Sequence, residues 1–247
     1  MSYTIAIAGK GGTGKTTVAA LLVRLISEQK LGSVLAVDAD PNSNLGEALG
    51  LVPRETIGSI LDRIAAHPDK IPSGMSKDRF IEYEVQSAVE ESDGFDVLTM
   101  GRPEGPGCYC YVNNVLRNCL GKLMRDYDYI IIDNEAGLEH LSRRTTRSAD
   151  ALVVICDATS AGLRAAHRIN ELVKELNIKA VKRLLLVNRS GALEKEKLFG
   201  LDLQYIGSLP EDTRIQEISL NGASLTDLSN DAVSLVTLRE IGEKVWK

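Results

Sequence analysis

Apolar residues along the chain fall into short β-branched runs separated by longer amphipathic stretches. Tyr3 to Ala8 and Ser33 to Asp38 read as strands, with a helical pattern over Thr16 to Gln29 between them. Further strand-like runs are Phe95 to Met100, Tyr129 to Asp133, Ala151 to Cys156, Arg183 to Asn188 and Gln204 to Ser208. Several, such as YIIID and ALVVIC, are almost continuously hydrophobic. A strand covered on one face only would alternate, so these runs predict strands buried on both faces of a parallel sheet. Strands alternating with helices predict an α/β fold, a doubly wound, mostly parallel sheet flanked by helices.

Two segments stand apart from this rhythm. Residues 53–93 hold the helical pattern IGSILDRIAA, the breaker HPDKIPSG and a charged helix-like stretch. They read as a helical insertion on the sheet edge, within a single domain spanning residues 1–247. The last segment, Asp231 to Lys247, reads as a terminal helix. Its mixed charges, Arg239, Glu240, Glu243 and Lys244, favour packing on the sheet over an amphipathic membrane-binding tail.

Composition narrows the function classes. At 247 residues and 44% hydrophobic, the chain can bury a core without disulfide or metal staples. A net charge of -5 argues against a general nucleic-acid-binding face. No apolar run approaches the roughly 18 residues a membrane helix needs. Ile5 to Ala8 is too short for a signal-peptide core and runs into glycines. The expectation is a cytoplasmic protein with no membrane insertion and no nucleic-acid partner.

The first strand runs into Gly9-Lys10-Gly11-Gly12-Thr13-Gly14-Lys15-Thr16-Thr17, which fits G-x-x-x-x-G-K-[ST] between a strand and a helix. Glycines let backbone N–H groups turn inward around phosphate oxygens, and the helix N-terminus adds its positive dipole. Lys15 is expected on the β- and γ-phosphates, and the Thr16 hydroxyl on Mg²⁺. The second strand ends in Asp38-Ala39-Asp40-Pro41-Asn42, with carboxylates at the mouth of the sheet where ligands bind. Asp40 could instead cap a following helix. Ile130-Ile131-Ile132-Asp133 is a hydrophobic strand ending in a carboxylate suited to Mg²⁺, directly or through water, and Asn134-Glu135-Ala136-Gly137 follows it.

With Lys10 included, the loop resembles the deviant Walker A signature of the SIMIBI-class ATPases, the MinD/ParA-like group. The resemblance implies a nucleotide-dependent homodimer in which Lys10 reaches the partner's nucleotide. It places Asp38 near the Mg²⁺ shell, Asp40 at the attacking water and Gly137 at the γ-phosphate. It places Asn188 and Arg189 at the adenine, and Pro210 and Glu211 in a loop covering the base. It implies ATP/ADP rather than a guanine nucleotide. No N-K-x-D base-reading motif is present. With no arginine finger beside the loop, hydrolysis by the protein alone should be slow.

The chain has four cysteines, and two of them, Cys108 and Cys110, flank one residue on the Gly/Pro-rich stretch GPGCYCYVNN. Cys119 and Cys156 fall in helical and strand patterns, where burial in a core is the default. In a reducing compartment a close pair is more often metal-binding or catalytic than a disulfide. One C-x-C cannot supply four ligands, but two copies about a two-fold axis can form an S₄ site. Soft thiolates suit Zn²⁺ or an Fe–S cluster and can hold Ni²⁺. An exposed redox pair is the alternative. Tyr111 to Tyr127, just beyond, reads as a helix.

GKGGTGKTT, DADPNSNLGEALG, GRPEGPGCYCYVNNVLR and DNEAGLEHLSRRT together resemble the CooC-type ATPases over essentially the whole chain. That resemblance implies a metallochaperone binding Ni²⁺ or Zn²⁺ through Cys108 and Cys110 across the dimer. Its client would be carbon monoxide dehydrogenase or acetyl-CoA synthase. The rival expectations are a ParA/MinD-like dimer switch without metal cargo and an electron carrier like the nitrogenase iron protein. His140 follows the Asn134-to-Gly137 segment without ligand spacing around it. His67 and His167 read as surface or packing residues.

Overall fold

The computed structural model describes residues 2–101, 118–135, 148–194, 198 and 200–246. Among these residues eight strands form one sheet in the order β3-β4-β2-β5-β1-β6-β7-β8. They are β1 (Tyr3–Gly9), β2 (Val34–Ala39), β3 (Val89–Glu91), β4 (Asp96–Thr99), β5 (Tyr129–Asn134), β6 (Ser148–Cys156), β7 (Lys179–Val187) and β8 (Gln204–Ser208). All neighbours pair in parallel except β3 and β4. Helices cover both faces, so the architecture is the doubly wound α/β sheet that the apolar runs predict.

The burial explains why these runs do not alternate. In β1, Ile5 and Ile7 enter the core beneath α1 (Lys15–Glu28), while Ala6 and Ala8 enter a second core on the opposite face. The same division holds in β5, where Ile131 faces α1 and Ile130 and Ile132 face away. A buried Leu or Ile contributes about 1.5–3 kcal/mol, and here successive residues of one strand bury into different cores.

After β2 come α2 (Asn44–Ala48), α3 (Ile57–Ala66), a 3₁₀ turn over Pro68–Lys70 and α4 (Lys77–Ser87). Thr56 and Ser59 form a capping box at the start of α3. Ile57, Ile60, Leu61 and Ile64 of α3, with Ile81 and Val85 of α4, pack on Leu35, Leu98, Ile130 and Ile132. Residues 53–93 therefore cover a face of the sheet and also extend its edge through β3. A helical stretch over 118–123 lies in the same core through Cys119, Leu120 and Leu123, and 3₁₀ geometry follows at Met124–Asp126.

On the other half of that face, α5 (Ser160–Glu175) buries Ala166, Ile169 and Val173 against β6 and β7. Next come α6 (Thr213–Leu220), a 3₁₀ turn over Leu225–Asp227 and α7 (Val233–Trp246). Helix α7 buries Leu235, Leu238, Val245 and Trp246 in the α1 core, as its mixed charges suggest. No helix of the described residues is long and apolar enough to cross a membrane.

Candidate functional site

The C-terminal ends of β1, β2 and β5 converge on one mouth, because β1 and β2 flank β5 in the sheet. The strand following β1 in sequence is not its neighbour in space. Such a switch in strand order opens a crevice where α/β sheets bind ligands.

The phosphate loop fills this mouth. It leaves β1 at Gly9 and enters α1 at Lys15. Gly12 and Gly14 have φ of 79° and 89°, the left-handed region that favours glycine. Gly14 has a steric requirement too: a Cβ there would lie 2.3 Å from Asn188 Nδ2. The loop is braced from within by Thr13 Oγ1, which donates to Lys10 O at 2.8 Å. It is braced from β7 by Asn188 Nδ2, which donates to the Thr13 carbonyl at 2.8 Å. Arg189, also left-handed at φ 55°, donates to the Gly12 carbonyl at 3.3 Å. Lys15 is buried at the first turn of α1, whereas Lys10 is exposed. Hydrogen bonds from Thr159, aided by the Lys10 charge, hold the Asp157 carboxyl below the usual carboxylate range.

Three oxygen-bearing side chains gather beneath the loop. Thr16 Oγ1 donates to Asp133 Oδ2 at 2.6 Å. Asp38 and Asp133 are register partners on neighbouring strands, with 0% and 1% exposure. Asp38 Oδ2 accepts the Leu45 amide at 2.7 Å, from the first turn of α2, and Oδ1 accepts the Asp40 amide at 3.1 Å. Burial pushes the Asp38 carboxyl up to about 7, with the nearby Asp133 charge adding to it. Burial likewise pushes Asp133 up to about 6, against the Thr16 hydrogen bond and the Lys15 charge. Asp133 Oδ1 is buried with no hydrogen-bond partner. Two crowded carboxylates, one with an orphaned oxygen, beside a hydroxyl form the hard-oxygen donor set that Mg²⁺ takes. The residues fit that ion.

Asp40 is half-buried, and its Oδ1 accepts both the backbone and side-chain N–H of Asn42 at 2.9 Å. Ser43 occupies the N-cap position of α2, so Asp40 shapes the turn rather than capping the helix. Beyond Thr17, a cleft of about 390 Å³ is lined by Asn188, Arg189, Leu209, Pro210 and Glu211, and by Ile215 of α6. The loop and base-side residues named from the sequence therefore meet at one place. Asn188 also holds the backbone there. Its amide braces the phosphate loop, and its Oδ1 accepts the Arg189 amide.

Sequence reading passed over Asn134 and Leu45. Asn134 Nδ2 donates to Ile7 O at 2.9 Å and so clips β5 to β1 just below the loop. A polar residue directly after a strand-ending aspartate is its only sequence signal. The Leu45 amide carries no side-chain signal at all. Cys119 and Cys156 are buried free thiols, and burial pushes Cys156 up to about 12. His67 and His167 are exposed. Cys108, Cys110, Gly137 and His140 lie outside the described residues. Among the described residues no three His, Cys, Asp or Glu side chains are grouped to hold a metal ion.

Residues 2–186 match the family model described as AAA domain. An uncharacterized ATP-binding protein of Methanocaldococcus jannaschii is 42% identical, over 98% of this chain and 97% of that protein. The carbon monoxide dehydrogenase accessory protein CooC of Rhodospirillum rubrum is 32% identical, over 91% of this chain and 90% of that one. The crystal structure of the Pyrococcus furiosus cell division ATPase MinD is similar in fold, with a TM-score of 0.71 at 24% identity, covering 99% of both chains.

Proposed function

The chain belongs to the AAA-domain family of P-loop ATPases of the MinD/ParA type, and on that premise we propose that it is a cytoplasmic, homodimeric metallochaperone driven by ATP. It binds Ni²⁺ or Zn²⁺ through Cys108 and Cys110 of both copies and assists nickel insertion into carbon monoxide dehydrogenase or acetyl-CoA synthase. One observation carries the ATP-driven part: the Thr16–Asp133 hydrogen bond, with Asp38 in register beside it, under a glycine loop opening a helix. The delivery part is supported by the C-x-C in a chain similar to CooC over nine-tenths of its length.

The division of labour is the one the family resemblance implies. Backbone N–H groups of residues 11–15 and the α1 dipole hold phosphate oxygens. Lys15 neutralises the β- and γ-phosphates. Thr17 and the cleft of Asn188, Arg189, Pro210 and Glu211 seat the nucleoside. Thr16, Asp133 and Asp38 would hold Mg²⁺, which when bound offsets phosphate charge. Asp40 orients the attacking water, and the Gly137 N–H senses the γ-phosphate. Asp38 links this site to α2 through the Leu45 amide, so a change at the cation is felt by the next helix.

Lys10 is exposed in the single chain, which suits a lysine that completes the partner's site. Lys10→Ala should retain ATP binding and lose turnover by about 100-fold or more. Lys15→Ala should be inactive for its own site. Mixing the two inactive variants rebuilds one complete site per mixed dimer. In an equal mixture about half of the dimers are mixed, so turnover should return toward roughly a quarter of the wild-type value. A mixture as inactive as its components contradicts action across the dimer.

A further inference from the structure

Asp38 and Asp133 belong to a row that continues onto β4. Thr99 pairs in register with Asp38, and Asp38 with Asp133. Register partners on neighbouring strands present their side chains to the same face. The equivalent row two residues earlier, Val97, Ala36, Ile131 and Ile5, is wholly apolar and lies in the core beneath α1. Thr99 therefore points to the α1 face beside Asp38. It is 2% exposed, and its hydroxyl has no hydrogen-bond partner.

An unpartnered buried hydroxyl is a standing cost that valine, of the same shape, would remove. The chain carries the hydroxyl next to a carboxylate that holds two backbone N–H donors, one on each oxygen. Each carboxylate oxygen has two lone pairs, so Asp38 can accept more. A charged carboxylate in a buried site needs those donors more than a neutral one does.

We propose that Thr99 is a positioning residue for the cation site, its hydroxyl donating to the Asp38 carboxylate in the cation-loaded state. It acts through Asp38 and touches neither nucleotide nor phosphate. Its loss loosens the carboxylate that Mg²⁺ binding requires to be charged and fixed, as removal of outer partners does at other metal sites. The inference rests on the reading of Thr16, Asp38 and Asp133 as the Mg²⁺ site.

The test uses the full chain with a fluorescent ADP, titrated with Mg²⁺, and thermal melting of the same samples. Wild type should bind nucleotide more tightly as Mg²⁺ rises. Thr99→Val should melt at the same or a higher temperature without ligand. It should bind nucleotide normally in chelator, and should need about 10-fold more Mg²⁺ for half the effect. Thr99→Ser, which restores only the hydroxyl, should return the Mg²⁺ dependence to within about 2-fold of wild type. A wild-type Mg²⁺ dependence in Thr99→Val overturns the proposal. So does Thr99→Ser matching Thr99→Val, because a side chain that keeps the hydroxyl would then behave as one that lacks it. A wild type indifferent to Mg²⁺ overturns the cation site itself, and with it the role of Thr99.

Discussion

Asp38 and Asp133 set the chemistry of the site by being buried where charge is costly. Their carboxyls sit at about 7 and about 6, well above the unfolded value near 3.8. Between those values the folded chain binds protons that the unfolded chain has released. Stability from these groups is therefore fully present below about pH 4 and is lost as pH rises through 6 to 7. Without ligand, the protein should lose on the order of a few kcal/mol across this window. Mg²⁺ requires the charged forms, so its binding should release protons and weaken as pH falls below 7. Melting curves at pH 5.5 and 7.5 check this, with Asp38→Asn and Asp133→Asn as controls that remove the window. A ligand-free wild type whose pH slope matches that of the double control would contradict the account.

Among the elements, α1 joins the site to the rest of the fold. Its first turn forms the phosphate loop's floor, and further along the same helix Arg24 clamps the segment between α6 and α7. The buried Arg24 guanidinium donates to the Leu225 and Leu228 carbonyls and to Asn230 Oδ1, and pairs with Glu28. Arg24→Ala leaves two buried carbonyls without their donor. It should cost about 2–3 kcal/mol, roughly 5–10 °C in Tm, with nucleotide affinity little changed. A Tm within about 1 °C of wild type would show that water satisfies those carbonyls equally well.

The same elements show how far sequence reaches. The strands with terminal carboxylates were legible because burial on both faces leaves an unbroken apolar run ending in a charge. Helix α7 was legible because its charges are mixed. Edge strand β3 was not, since Val-Glu-Glu has no apolar pattern and is a strand only through its ladder to β4. Strands β6 and β7 begin at Ser148 and Lys179, earlier than their apolar runs, because the ladder continues through the pairs Ser148–Lys179 and Ala149–Ala180. The phosphate loop was legible from local spacing. The register pairing of Asp38 with Asp133 on one side and with Thr99 on the other was not, because it depends on strand order between segments far apart in sequence. Asn188 shows a similar limit: its position suggests a base contact, while its brace on Thr13 comes from 175 residues away.

At the scale of the whole molecule, the chain supplies one nucleotide site and two close thiols, Cys108 and Cys110. Two thiols cannot complete a tetrahedral metal site, whereas two copies of the chain can. Metal held between copies must stabilise the dimer, and dimerisation must tighten metal binding by the same factor. On the proposed function, nucleotide and metal act on one equilibrium from separate sites. The most direct measurement is an anaerobic titration with Ni²⁺ and Zn²⁺, read as mass in solution, on wild type and on a Cys108→Ala/Cys110→Ala variant. The account predicts one metal per wild-type dimer, and dimerisation driven by metal. In the variant both should be lost while ATP binding is kept. Metal bound equally by the variant, or no metal bound by wild type, would contradict it and leave an ATP-driven dimer switch without metal cargo.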